Sequence, residues 1–152
     1  MIQTRILIFA LAGAVLIGGI SLFSNLNKNI YDQTASLSLP DKQITLIVVN
    51  NSESRVRGLS GAESLAEDSA MLFVFDEADR YGIWMKDMKF PLDIFWLDEN
   101  KKIVYEEENV SPQSYPKVFT PTEKSLYVLE ANAGFAEKNN LKVGKVLNLT
   151  LK

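Results

Sequence analysis

Residues 91–97 read PLDIFWL, residues 102–107 read KIVYEE, and between them stand Asp98, Glu99, Asn100 and Lys101. Two β-rich runs joined by a short polar, turn-favouring stretch predict a hairpin. Side chains of a strand alternate between faces, so Leu92, Ile94 and Trp96 share one face, and Asp93, Phe95 and Leu97 the other. Both faces are apolar apart from Asp93. That predicts a strand covered on both sides, with a carboxylate held among hydrophobic neighbours.

Working outward from this hairpin, the β reading continues in both directions. Residues 43–49 (QITLIVV) are rich in branched side chains and stop at Asn50-Asn51, which predicts a strand. Ser52 offers an N-cap for a short helix over 53–57, and Gly58 can end it. Residues 61–69 read as loop. Residues 71–75 (MLFVF) form an apolar run too short for an ordinary helix and predict a buried strand. A charged turn over 76–80, a strand over 81–85 and a three-proline loop over 111–121 follow. Further strands are expected at 125–130 and 146–151, with a short helix over 134–139 between them. About seven short strands with one or two small helices predict a mainly β domain, either a small antiparallel sandwich or a partly closed barrel. Long amphipathic helices alternating with strands are absent, which argues against a parallel sheet.

Ahead of this domain, residues 6–23 (ILIFALAGAVLIGGISLF) contain no charge, and Arg5 precedes them. No polar stripe exists to face water. Eighteen apolar residues approach the length needed to span a bilayer as a helix. Residues 1–28 are therefore expected to be one N-terminal transmembrane helix, a single-pass anchor in the cytoplasmic membrane. A cleaved signal, giving a secreted form, is the alternative. In either case Arg5 stays inside, placing the domain outside the cytoplasm, a preference that Lys28 on the far flank weakens slightly. Residues 29–40 are polar, end at Pro40 and read as a linker; residues 41–152 are the β-rich domain.

Composition removes several function classes. The chain has no cysteine and no histidine. Disulfides, thiolate metal sites, cysteine nucleophiles, a lipidated cysteine and a Ser-His-Asp triad are excluded within it. No cofactor is expected, and a histidine-free zinc site would have to rely on carboxylates alone. Oxygen-only Ca²⁺ or Mg²⁺ binding stays open. Residues 41–152 carry 14 basic and 18 acidic side chains, a balance that argues against nucleic acid or anionic lipid as a partner of the domain. The run Glu106-Glu107-Glu108 reads as a solvated hairpin face, and Met71, Met85 and Met88 as core filling.

Five residues stand out as candidates for ligand binding: Arg57, Trp84, Lys86, Asp93 and Glu130. Glu130 shares a strand face with Leu126 and Val128, so it too sits in apolar company. A carboxylate so placed is costly unless paired or hydrogen-bonded. Lys86 and Arg57 are the expected partners of Asp93 and Glu130. One reading is a cleft floored by Trp84, which would stack on a planar or sugar face, with Arg57 forking onto an anion. The competing reading is an ion-pair network that pins a strand end, or carboxylates that accept backbone N–H bonds. The pair of carboxylates also raises glycosidic hydrolysis as a third possibility.

Six fragments also resemble one family: Arg57-Gly58-Leu59-Ser60, Met71-Leu72-Phe73-Val74-Phe75, Trp84-Met85-Lys86-Asp87-Met88, Pro91-Leu92-Asp93-Ile94, Tyr127-Val128-Leu129-Glu130 and Ala133-Gly134-Phe135-Ala136. Their order and spacing look like domain-of-unknown-function family 192, over about residues 44–151. The resemblance implies a compact jelly-roll-like β fold with short helices, often exported or membrane-anchored, and it implies no particular reaction. Asp87-Met88 departs from the asparagine-threonine usual after the lysine, and the cysteines frequent in the proline loop are absent. Taken together, the expected function is that of a membrane-tethered binding or accessory module for a small polar molecule, a glycan or an envelope protein. The alternatives are a carboxylate-dependent hydrolase of an envelope polymer and a structural subunit of a membrane complex.

Overall fold

The computed structural model describes residues 34–151; the expected anchor over 1–28 lies outside the described residues. Within these described residues nine strands and two short α-helices follow one another. They are β1 (Thr34–Leu39), β2 (Lys42–Val49), α1 (Ser52–Arg57), β3 (Ser69–Asp79), β4 (Ile83–Trp84), β5 (Leu92–Leu97), β6 (Ile103–Val110), β7 (Val118–Phe119), β8 (Ser125–Asn132), α2 (Phe135–Asn139) and β9 (Asn148–Leu151).

Seven strands make one sheet in the order β6-β5-β8-β3-β2-β1-β9, and β4 pairs with β7 in a separate two-stranded ribbon. The expected hairpin is β5–β6, with Asp98 Oδ1 accepting the backbone N–H groups of Asn100 and Lys102 at 2.9 Å to shape its turn. The sheet is not wholly antiparallel as expected: β2 and β3 run parallel. The α1 crossover returns the chain to the same end before β3 begins, which permits that pairing.

The two edges of the sheet approach each other. Lys102 and Val146 form an antiparallel bridge, Ile103 N–H donates to Lys145 O at 2.8 Å, and Leu147 N–H donates to Lys101 O at 2.9 Å. The curled sheet encloses the main core, built from inward residues such as Leu37, Ile44, Leu72, Phe95, Leu129 and Leu149. Phe135 and Ala136 of α2 belong to that core.

Besides β7, which forms within the stretch 111–121 expected to be loop, and β4, shorter than the strand expected over 81–85, two stretches differ from expectation. Thr34–Leu39, read as linker, is β1, paired with both β2 and β9. Its sequence TASLSL has modest strand propensity, but Leu37 lies opposite Ile44 and Leu149 and is fully buried. Cross-strand burial decides the element here, not local preference. Likewise β3 runs on through the charged stretch expected to turn. Asp79 lies opposite Ser125 after a register shift, so the chain stays extended while its acidic side chains face solvent.

Every residue of β5 is buried, as its two-faced apolar pattern requires. Phe95 and Leu97 enter the main core. Ile94 and Trp96 face the other way, alongside Met71, Phe73 and Glu130 on the neighbouring strands. The segments 58–60 and 81–84 line a cavity with this second face, and Trp96 Nε1–H donates to Tyr81 O at 2.7 Å.

Candidate functional site

That second face carries a cavity of about 250 Å³. Its floor is Glu130 of β8. Across the strands Glu130 is flanked by Met71 and Ile94, both essentially without exposure. Its own exposure is 5%, and among the described residues no hydrogen bond or ion pair reaches its carboxyl group. Burial pushes its pKa up to about 8. At neutral pH the group is therefore mainly a neutral carboxyl, able to donate one hydrogen bond and accept others.

One wall comes from α1 and its exit. Asn51 caps the helix, one residue ahead of the expected Ser52. Its Oδ1 accepts Ser54 N–H at 2.9 Å, and Ser54 Oγ accepts Asn51 N–H in return. Gly58 ends the helix at φ 49°, a conformation that favours glycine, and a Cβ there would lie 3.3 Å from Phe73 Cζ. This tight exit leaves Arg57 at the rim, exposed and without an ion pair among the described residues.

Next to it the lining is aromatic. Phe75 and Tyr81 stack at a centroid separation of 3.4 Å and an angle of 7°, and Tyr81 O–H donates to Glu77 O at 2.6 Å. Arg55 is committed to this wall. Its Nη1 donates to Asn50 O and Val74 O, both at 2.8 Å, and its guanidinium lies 5.2 Å from the Phe75 ring centroid. Trp84 closes the mouth, 46% exposed and edge-on to Tyr115 at 6.0 Å. Trp84 is thus at the mouth, while the floor is Glu130.

Of the five residues singled out in the sequence, Arg57, Trp84 and Glu130 line this one cavity. Lys86 stands outside it, exposed, with Nζ 5.8 Å from the Trp84 ring centroid. Asp93 does not face it. Asp93 is fully buried on the inner face, where Oδ1 accepts Asn109 N–H and Oδ2 accepts Ala136 N–H, each at 2.8 Å. It thereby closes a bulge in β6, where Asn109 has φ 52°, and caps the first turn of α2, whose own N-cap is Gly134. The expected cationic partners of Asp93 are replaced by two backbone amides. Alternation on β5 already separated Asp93 from the Ile94 face, but the distant amides of residues 109 and 136 had no signal in the sequence. Arg55, Phe73, Phe75, Tyr81 and Met88 also line the cavity and were not anticipated.

A family model described as "Uncharacterized ACR" matches residues 35–149, nearly the whole described domain. The chain belongs to the DUF192 family. No curated protein matches it. Among solved structures, this DUF192 chain is similar to a protein of Sinorhizobium meliloti 1021 provisionally described as a transcription regulator. That likeness has a TM-score of 0.69 and 26% identity, covering 78% of this chain and 92% of the other. A protein of unknown function from Novosphingobium aromaticivorans DSM 12444 shares the fold at a TM-score of 0.67 and 20% identity, covering 77% and 83%.

Two other clusters of this DUF192 domain have most of their polar groups committed; the exceptions are Lys42, 5.6 Å over the Phe135 ring, and Glu106 Oε2, buried without a hydrogen bond. A cavity of about 340 Å³ beside α2 is lined by Lys138, which pairs with Glu67 at 3.9 Å, and by Asn132, whose Nδ2 donates to Leu65 O. On β6 the expected solvated face is partly gathered in. Glu106 and Glu108 both engage Lys142, and Glu107 accepts Tyr105 O–H at 2.7 Å. Burial raises the pKa of Glu106, opposed by Lys142. Among the described residues no group of three metal-type side chains converges.

Proposed function

We propose that this DUF192 domain is an extracytoplasmic binding module, tethered to the membrane through residues 6–23, that holds a small polar ligand in the cavity above Glu130. One observation carries the reading: a carboxyl group more than nine-tenths buried lines an open cavity with no hydrogen bond or ion pair among the described residues, and the exposed Arg57, which has no ion pair among them, lines the same cavity. A ligand that hydrogen-bonds to this carboxyl group within the apolar lining gains a stronger interaction than the same bond makes in water, which gives the arrangement a functional rationale. The stacked aromatic wall is already held in place, so little ordering is needed on binding. A tether suits such a module by confining its ligand-capturing surface to the envelope.

The two-carboxylate hydrolase draws no support from this geometry. Its acid and base must flank a single bond. Asp93 lies opposite Ala131, whereas Glu130 lies opposite Ile94, so the two carboxyl groups face opposite sides of adjacent strands.

The test is native mass spectrometry of the full chain taken from the membrane fraction in mild detergent. A small retained mass is expected in the wild type and absent from Arg57→Ala, with both chains melting at the same temperature. An identical mass profile in the two, or recovery of the intact chain from the cytosol, would overturn the reading.

A further inference from the structure

Resting on that binding reading, we propose that the cavity is built for a small zwitterion, whose cationic nitrogen meets Glu130 and whose carboxylate or phosphate meets Arg57, with an apolar or planar body between them. Besides the Tyr81 phenol, three ionisable groups line the cavity, two basic and one acidic: Arg55, Arg57 and Glu130. Arg55 is already satisfied by two carbonyl oxygens, an aromatic face and Asp76 at 3.8 Å. One acid and one base remain. No ion pair joins them to each other, although they share the cavity, so space separates their charged ends. The molecule that complements both carries one charge of each sign.

The rest of the lining fits the body of such a ligand. Phe73, Phe75, Trp84 and Met88 present apolar and aromatic surface. Aromatic faces also attract a cationic nitrogen, as Arg55 over Phe75 and Lys86 over Trp84 illustrate in this same region. An anion alone would leave the buried Glu130 unpaired. A cation alone would meet the repulsion of Arg55 and Arg57.

The proposal has a proton signature. In the empty cavity burial keeps the Glu130 proton on near neutral pH. A cationic nitrogen placed against that carboxyl group favours its ionised form, so binding releases the proton to solvent while the nitrogen keeps its own.

Calorimetric titration of the full chain in detergent at pH 7 tests this with three probes: phenylalanine, phenethylamine and 3-phenylpropionate. Two buffers of different protonation enthalpy count the protons. Phenylalanine is expected to bind most tightly, with either truncated analogue at least about tenfold weaker, the loss of one charge-assisted hydrogen bond. Close to one proton should leave per phenylalanine or phenethylamine, and none per 3-phenylpropionate. Glu130→Gln should remove the proton release and lower phenylalanine to the level of 3-phenylpropionate. Arg57→Met should lower it to the level of phenethylamine. Equal affinity for phenylalanine and 3-phenylpropionate without proton release would overturn the zwitterion while leaving the binding reading intact. No saturable heat from any probe would also overturn it. In that case the binding reading falls as well only if the wild-type chain retains no Arg57-dependent small mass.

Discussion

Asp93 and Glu130 are both carboxyl groups buried on adjacent central strands, one residue apart in register, yet their surroundings are opposite. Asp93 faces the inner core and accepts a backbone N–H with each oxygen, at the β6 bulge and at the start of α2. Glu130 faces the other side and has neither amide nor cation against it among the described residues. The first carboxylate repairs two irregularities of the backbone, where amide donors would otherwise be orphaned inside the protein. The second leaves an uncompensated group beside open space. Burial of an acid therefore says little by itself; what its oxygens touch separates a structural role from a binding one.

Breaking the structural half should have the largest effect. Asp93→Ala leaves two buried amide donors without an acceptor, and unfolding in urea should show a loss of about 3 kcal/mol. If Asp93→Ala loses less than half of this, the contrast between the two carboxyl groups collapses.

The binding half is sharpened by pH. The Glu130 pKa lies near 8 in the folded chain, above the ordinary value of 4.5 expected when unfolded. The folded state then holds a proton that the unfolded state has lost across this window. Stability from this group is full below about pH 4.5 and declines as pH rises toward 8. Glu130→Gln should remove that slope, so the difference in unfolding free energy between wild type and variant should change with pH in this direction. Parallel curves from pH 5 to 8 would show that Glu130 does not hold its proton. The smallest effect belongs to Lys86→Met, which removes an exposed charge outside the cavity and should change stability by less than about 0.5 kcal/mol. A larger loss would mean that its contact with Trp84 organises the mouth.

Legibility in the sequence followed the range of the interaction. The alternating pattern of residues 91–97 placed β5 between two buried faces and set Asp93 and Ile94 on opposite sides, as found. The β5–β6 turn, the α1 exit at Gly58 and the strand over 71–75 rest on neighbours within a few positions and were equally plain. By contrast, β1 was hidden because its serines suggest a linker, and only pairing with β2 and β9 makes it a strand. The cavity was half legible. Arg57, Trp84 and Glu130 carried a signal as polar or large residues in apolar settings, whereas Phe73, Phe75 and Tyr81 read as ordinary core or turn residues.

From the order of its residues alone, this protein declares a mainly β domain, an uncharged apolar stretch over residues 6–23, a chemistry without thiol or imidazole, and acids set among hydrophobic neighbours. These are properties of composition and of short-range alternation, which every chain carries before it folds. Which acid is satisfied and which is left open was decided only when β5, β6, β8 and α2 met. The amides of residues 109 and 136 reach Asp93 across gaps of 16 and 43 positions. A contact over such distances depends on strand order and register, which emerge from packing the whole sheet rather than from any local stretch.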